Sequence, residues 1–203
     1  MIAIIDYDAG NLGSVQKALS SLGELSIITR ERETLLGADG VILPGVGAFG
    51  DAMEKLHRYQ LVDTIYEIVD KGTPFLGICL GLQLLFERSE ESPKAKGLGI
   101  LRGEIVRIPD TGLKIPHIGW NSLKLAEDGT LFQGIERESY VYFVHSYYLK
   151  AFDASIVKAT AEYGVTIHAS IEKDNIFACQ FHPEKSGDVG LKILKNFAMA
   201  LQG

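Results

Sequence analysis

The chain is poor in cysteine, in long apolar runs and in excess positive charge, and each shortage removes a class of function. Two cysteines, Cys79 and Cys179, in 203 residues are too few for a disulfide framework. The most apolar stretch, Phe75 to Phe86, is broken by two glycines and Gln83, and falls well short of the roughly 20 residues of a membrane span. Lys and Arg number 20 against 26 Asp and Glu, a net charge of −6, so no field attracts a phosphate backbone or an anionic membrane. Gly, Ser and Pro form no linker, no repeat is visible, and the first residues lack the basic start of a signal peptide. Paired metal-ligand spacing is also missing: Cys79, His117, His145, Cys179 and His182 stand far apart in sequence. One cytoplasmic domain over 1–203, without metal or cofactor, is expected.

What is present is a rhythm. Ile2–Asp6, Leu25–Thr29, Val41–Leu43 and Phe75–Ile78 read as buried strands. Helical patterns alternate with them: Leu12–Leu22, Ala48–Leu56, Leu61–Asp70 and a Leu-rich segment from Leu80. That alternation predicts a mostly parallel sheet with helices on both faces. The second half turns strand-rich, at Glu104–Ile108, Ser122–Leu125, Tyr140–Tyr148, Ile156–Tyr163, Thr166–Ile171 and Ile176–Phe181, before a helix over Asp188–Leu201. Short connections there suit antiparallel pairing at a sheet edge or in an accessory sheet. The fold class is a three-layer α/β domain.

Gly77-Ile78-Cys79-Leu80-Gly81, between a buried strand and a helix, has the form of a nucleophile elbow with cysteine in place of serine. Small flanking residues permit the sharp turn, and a helix N-terminus at Leu80 favours the thiolate. The bland alternative is a core cysteine in a glycine-containing turn. His182 is the base expected for Cys79, because an extended residue before Pro183 puts Glu184 on the same side to orient the ring. The order Cys79, His182, Glu184 disfavours an α/β-hydrolase esterase, where the acid precedes the histidine. Gly45, Gly47 and Gly50 also fit G-x-G-x-x-G, yet the turn follows the third strand and no acid ends the next one, which weakens a dinucleotide reading. An oxyanion donor at the Val46 amide, beside the Leu80 N–H, fits better. Cys179 reads as a packed core thiol. Trp120 and the aromatics of 140–148 read as core, interface or pocket wall.

Together the motifs resemble class I glutamine amidotransferases: Gly-Ile-Cys-Leu-Gly-Leu-Gln at 77–83, Pro-Gly-Val-Gly-Ala-Phe-Gly-Asp at 44–51 and Gln-Phe-His-Pro-Glu-Lys-Ser at 180–186. Within that family, Asp6-Tyr7 with Gly10-Asn11, Pro-His-Ile-Gly-Trp-Asn at 116–121 and Tyr-Phe-Val-His-Ser-Tyr at 142–147 are similar to the glutaminase subunits of imidazole glycerol phosphate synthases. The resemblance runs from the first strand to the last helix. It implies a Cys79–His182–Glu184 triad, an oxyanion site at Val46 and Leu80, and glutamine held by Gly47, Gln83, Ser146 and Tyr147. It further implies ammonia transfer to a (β/α)8-barrel cyclase subunit that meets Asn11, His117, Trp120, Tyr142 and Lys185. A glutaminase of another synthase, such as pyridoxal phosphate synthase, and an idle regulatory scaffold are the competing readings. One position departs from the family: Asp8 stands where members carry glycine, which is expected to alter the backbone of that loop.

Overall fold

A computed structural model describes residues 1–201. Its main sheet has eight strands in the order β2-β1-β3-β4-β13-β12-β11-β8. The parallel part consists of β1 (Ile2–Ile5), β2 (Ser26–Thr29), β3 (Gly40–Gly45), β4 (Phe75–Cys79) and β13 (Ile176–Cys179). Antiparallel β12 (Thr166–Lys173), β11 (Val157–Glu162) and β8 (Lys124–Leu125) extend it to one edge.

Period-two alternation sends side chains of one strand to opposite layers. Ile2 and Ile4 pack with Val15 and Leu19 of α1 (Leu12–Ser21) and Phe197 of α6 (Gly187–Ala200). Ala3 and Ile5 face the other layer, with Leu35 of α2 (Arg32–Leu36), Leu56 of α3 (Phe49–Arg58) and Ile65 of α4 (Leu61–Asp70). The expected three layers are therefore present, and the antiparallel additions are both an edge and accessory sheets.

Several elements differ from the sequence expectation. The Leu-rich segment forms only α5 (Leu80–Leu84), buried on every side. Its chain then turns into β5 (Arg88–Ser89), which pairs with β6 (Gly103–Arg107). The strand expected at Ser122–Leu125 is split, since β7 covers His117–Ser122 and only β8 follows it. Tyr140–Tyr148 is likewise two strands: β9 (Tyr140–His145) pairs with β7, and β10 (Tyr147–Ala151) pairs with β6. Ser146 is the break between them. Its carbonyl accepts from Ile108 N–H at 2.9 Å, which turns the chain from one sheet to the other. Continuous apolar alternation hid that corner.

Candidate active site

β4 and β13 are parallel neighbours, with Cys179 opposite Ile78. Cys79 and the 180–186 segment therefore leave the sheet side by side, at the carboxyl ends where α/β sheets build their sites. Cys79 takes φ 55° and ψ −108°, a strained conformation for a residue with a side chain. The elbow exists because its flanks are bare: a Cβ on Gly81 would lie 1.8 Å from the Leu43 carbonyl oxygen, and one on Gly77 2.8 Å from that of Gly81. A Cβ on Gly45 would meet the Tyr7 hydroxyl at 2.5 Å, so the neighbouring turn is held just as closely.

His182 is extended, and its N–H donates to the Tyr142 carbonyl at 3.0 Å. Ser186 Oγ secures the same residue, donating to the His182 carbonyl at 2.6 Å and accepting from Tyr142 N–H at 3.0 Å. Nδ1 of His182 donates to Glu184 Oε1 at 2.8 Å, with both side chains almost wholly buried. The contact was expected, but its route differs. Pro183–Lys185 forms a 3-10 turn, so the acid reaches the ring by local coiling and not along an extended strand. Nε2 is buried without a hydrogen-bond partner. Burial alone would lower the His182 pKa, but Cys79 and Glu184 outweigh it and raise the value to about 10.

These residues border a cavity of about 470 Å³, within the range of small-molecule sites. Val46, Gly47, Cys79, Leu80, Gln83, Ser146, Tyr147 and His182 all line it, so the structure brings these candidate residues together. Glu184 stands behind His182. Lys185 reaches the rim, and Glu91, Pro116, Val144 and His145 are wall residues that sequence reasoning missed. Glu91 is fixed there because its Oε2 accepts from Phe49 N–H at 2.8 Å; no motif around it marks this role. Gly50 N–H in turn donates to Ser92 Oγ at 3.0 Å. The amides that a dinucleotide phosphate would need at the start of α3 are therefore engaged, beside a carboxylate that would repel it.

Gln180 opens the motif at 180–186, yet the sequence assigns it no role. It is fully buried, and its Nε2 lies 3.7 Å from the Cys79 sulfur as a donor.

The residues expected at a partner face divide. Trp120 is 55% exposed, stands opposite Tyr142 in the β7–β9 register, and meets that ring edge-on at 6.2 Å. Lys185 Nζ lies 6.0 Å from the Tyr142 ring, forming one exposed strip, while Asn11 is exposed at the start of α1. His117 does not join them. Its ring is buried between Phe143 and Tyr163, with centroids at 4.7 and 3.9 Å, so β7 presents Ile118 and Trp120 outward instead.

Asp8 occupies the left-handed region at φ 58° without glycine. Arg30 holds its carboxylate at 2.7 Å, Tyr59 donates to the other oxygen, and Lys55 Nζ donates to its carbonyl at 2.8 Å. Asp tolerates this region better than most side chains. The turn at Asp8 thus holds a left-handed conformation that glycine adopts without strain, clamped here by these contacts.

A family model for "Glutamine amidotransferase class-I" matches residues 3–201. The chain belongs to the class I glutamine amidotransferase family. Among this amidotransferase's relatives, the imidazole glycerol phosphate synthase subunit HisH of Methanocaldococcus jannaschii is 55% identical over 99% of this chain and 100% of the relative. The protein of the same name from Caldanaerobacter subterraneus is 52% identical over 97% of each. A crystal structure of a glutamine amidotransferase superposes with TM-score 0.78 at 18% identity, over 100% of both chains. PurLQS from Thermotoga maritima gives 0.76 at 20% identity, over 98% of both. At those identities the structural likeness supports the fold alone.

Proposed function

We propose that this chain is the glutaminase subunit of an imidazole glycerol phosphate synthase. It hydrolyses glutamine to glutamate and delivers ammonia to a (β/α)8-barrel cyclase subunit. The observation that carries the reading is the Cys79–His182–Glu184 constellation on one cavity, in a chain half-identical to proteins of that name.

Cys79 Sγ attacks the carboxamide carbon, with the thiol proton held on Nε2 of His182. The developing oxyanion is met by the Val46 and Leu80 amides, each such donor being worth roughly 2.7–4 kcal/mol in comparable sites. His182 then protonates the departing nitrogen, the C–N bond breaks, and ammonia leaves a glutamyl thioester. Water, deprotonated by His182, attacks the thioester and releases glutamate and the free thiol. Glu184 holds the ring in the tautomer that keeps Nε2 toward the sulfur.

Substrate recognition follows from the walls. Gln83 spends Nε2 on the Tyr147 carbonyl at 3.1 Å and Gln180 Oε1 at 3.0 Å, leaving its oxygen to accept from the substrate's ammonium. Glu91 adds negative charge for the same group, and Gly47, Ser146 and Tyr147 close around the amino acid. Asn11, Trp120, Tyr142 and Lys185 form the face that meets the cyclase, with His117 supporting it from beneath. Ammonia in water at neutral pH is mostly protonated and unreactive, which is the chemical reason for direct transfer. The products of the complex are imidazole glycerol phosphate and aminoimidazole carboxamide ribotide. We place the reaction in the cytoplasm, whose reducing poise keeps Cys79 a thiol. No helix among the described residues is long and apolar enough to cross a membrane.

Glutamate release tests this reading, measured for the chain alone and with a barrel cyclase and its ribotide. Weak activity alone and strong stimulation in the mixture is expected. Full activity without any response to the cyclase assigns the ammonia to another acceptor enzyme.

A further inference from the structure

An unbroken run of hydrogen bonds leads from β7 to the Cys79 sulfur, and the direction of each bond is fixed by its neighbours. Asn121 Oδ1 accepts from Ser122 N–H at 2.8 Å, while Nδ2 donates to the Glu162 carbonyl at 2.9 Å. That orientation turns an N–H of Asn121 toward His117 Nε2, 3.4 Å away, so Nε2 must be the acceptor. The proton of His117 is then on Nδ1, which lies 3.0 Å from His145 Nε2. His145 in turn carries its proton on Nδ1 and donates to the Tyr147 carbonyl at 2.9 Å. A protonated His145 would set two donors against each other across the imidazole pair, so both rings are neutral. Burial agrees, lowering His117 to about 4 and His145 to about 3.

The Tyr147 carbonyl also receives Gln83 Nε2, whose second hydrogen goes to Gln180 Oε1. Gln180 is thereby forced to aim its own N–H at the sulfur. His117, His145, Gln83 and Gln180 are each at most 6% exposed, and in such surroundings a polar group tolerates few alternative arrangements.

We infer that His117 and His145 are positioning residues for the thiol chemistry: a neutral, one-directional imidazole pair that sets the Tyr147 carbonyl and, through Gln83 and Gln180, the hydrogen bond to the Cys79 sulfur. The inference rests on Cys79 being the nucleophile.

Imidazole proton–nitrogen NMR on the intact chain at neutral pH tests the first half without any substitution. Both rings should be neutral with the proton on Nδ1; an Nε2–H tautomer or a charged ring at either position overturns the relay. The second half uses the complex with its cyclase, and reads Cys79 alkylation by iodoacetamide beside kcat and KM for glutamine. Losing the Tyr147 bond in His145→Leu should slow alkylation and lower kcat by about fivefold to tenfold, the size of one net hydrogen bond. His145→Asn retains a donor near the Nδ1 position and should recover most of both. A Leu variant within about twofold of the parent, or an Asn variant no better than Leu, overturns the positioning role. Cys79→Ala is the separate control: retained glutaminase activity there would remove the nucleophile itself, leaving the NMR result to stand alone.

Discussion

The hydroxyl of Tyr7, at the end of β1, donates to the carbonyl of Pro44 across 2.9 Å in a fully buried setting. Pro44 opens the turn whose Val46 amide is proposed to meet the oxyanion, and Tyr7 also fills the space a Gly45 Cβ would need. Burial, and then the Cys79 charge, push the phenol pKa upward, so it stays a donor throughout the working range. Tyr7→Phe should keep the ring packing and loosen only the turn. We expect kcat for glutamine to fall by up to about tenfold with KM little changed, from the loss of roughly one hydrogen bond. Equal losses in kcat and stability with a raised KM would instead mark a general packing defect.

Cys79→Ala should abolish glutamine hydrolysis and leave cyclase binding intact, because the proposed mechanism puts the thioester on this sulfur, which faces the cavity. The same substitution removes a principal influence that raises the His182 pKa. An NMR titration of His182 should therefore show its pKa falling from about 10, and an unchanged value would break the proposed pairing of sulfur and imidazole.

Most of the order of strands and helices in the first half was legible in sequence because it depends on local chemistry, as was the contact of His182 with Glu184; the short α2 was not. Continuous apolar runs made the buried strands β1, β3 and β4, and the glycines around Cys79 forced the elbow. Glu91, Gln180 and His145 were not legible as wall residues or as the sulfur's neighbour. Each is placed by a partner distant in the chain: Phe49 N–H for Glu91, Gln83 for Gln180, His117 for His145. The corner at Ser146 was hidden for the same reason, since only the pairing of β9 with β7 and of β10 with β6 reveals it. His182 and Glu184 were paired correctly through the wrong local geometry, because an i, i+2 contact is compatible with both a pleat and a 3-10 turn.

Asp8 offers a test of backbone strain against side-chain clamping. Alanine usually stabilises relative to glycine, but at φ 58° the preference reverses by roughly 1 kcal/mol. Asp8→Ala should therefore melt below Asp8→Gly, although both lose Arg30 and Tyr59. If alanine melts higher, the left-handed conformation is not what this position demands.

Lys185 lies beside the Tyr142 ring on an exposed strip with Trp120. Exposed charges contribute at most about 1 kcal/mol to folding. Lys185→Ala should accordingly leave thermal stability nearly unchanged while weakening cyclase affinity or stimulation. Full affinity and full stimulation in that variant would remove Lys185 from the partner face.

Histidines set the pH limits of the fold in opposite directions. His117 and His145 are held by burial at about 4 and about 3, below the ordinary 6.5. Between about 6.5 and 4 the unfolded chain binds protons that the native rings refuse, so stability falls as pH drops through that window. His182 has the reverse sign. Its native value of about 10 exceeds the unfolded one, so its contribution is complete below about 6.5 and is lost as pH rises toward 10. Urea unfolding across this range should show a maximum near pH 6.5, with each ring adding a slope of up to about 1.4 kcal/mol per unit. His117→Phe preserves the stacking between Phe143 and Tyr163, and should flatten the acid limb while leaving the alkaline limb in place. An acid limb as steep as the parent's would mean that His117 is already protonated in the native protein, contrary to the tautomer its hydrogen bonds require.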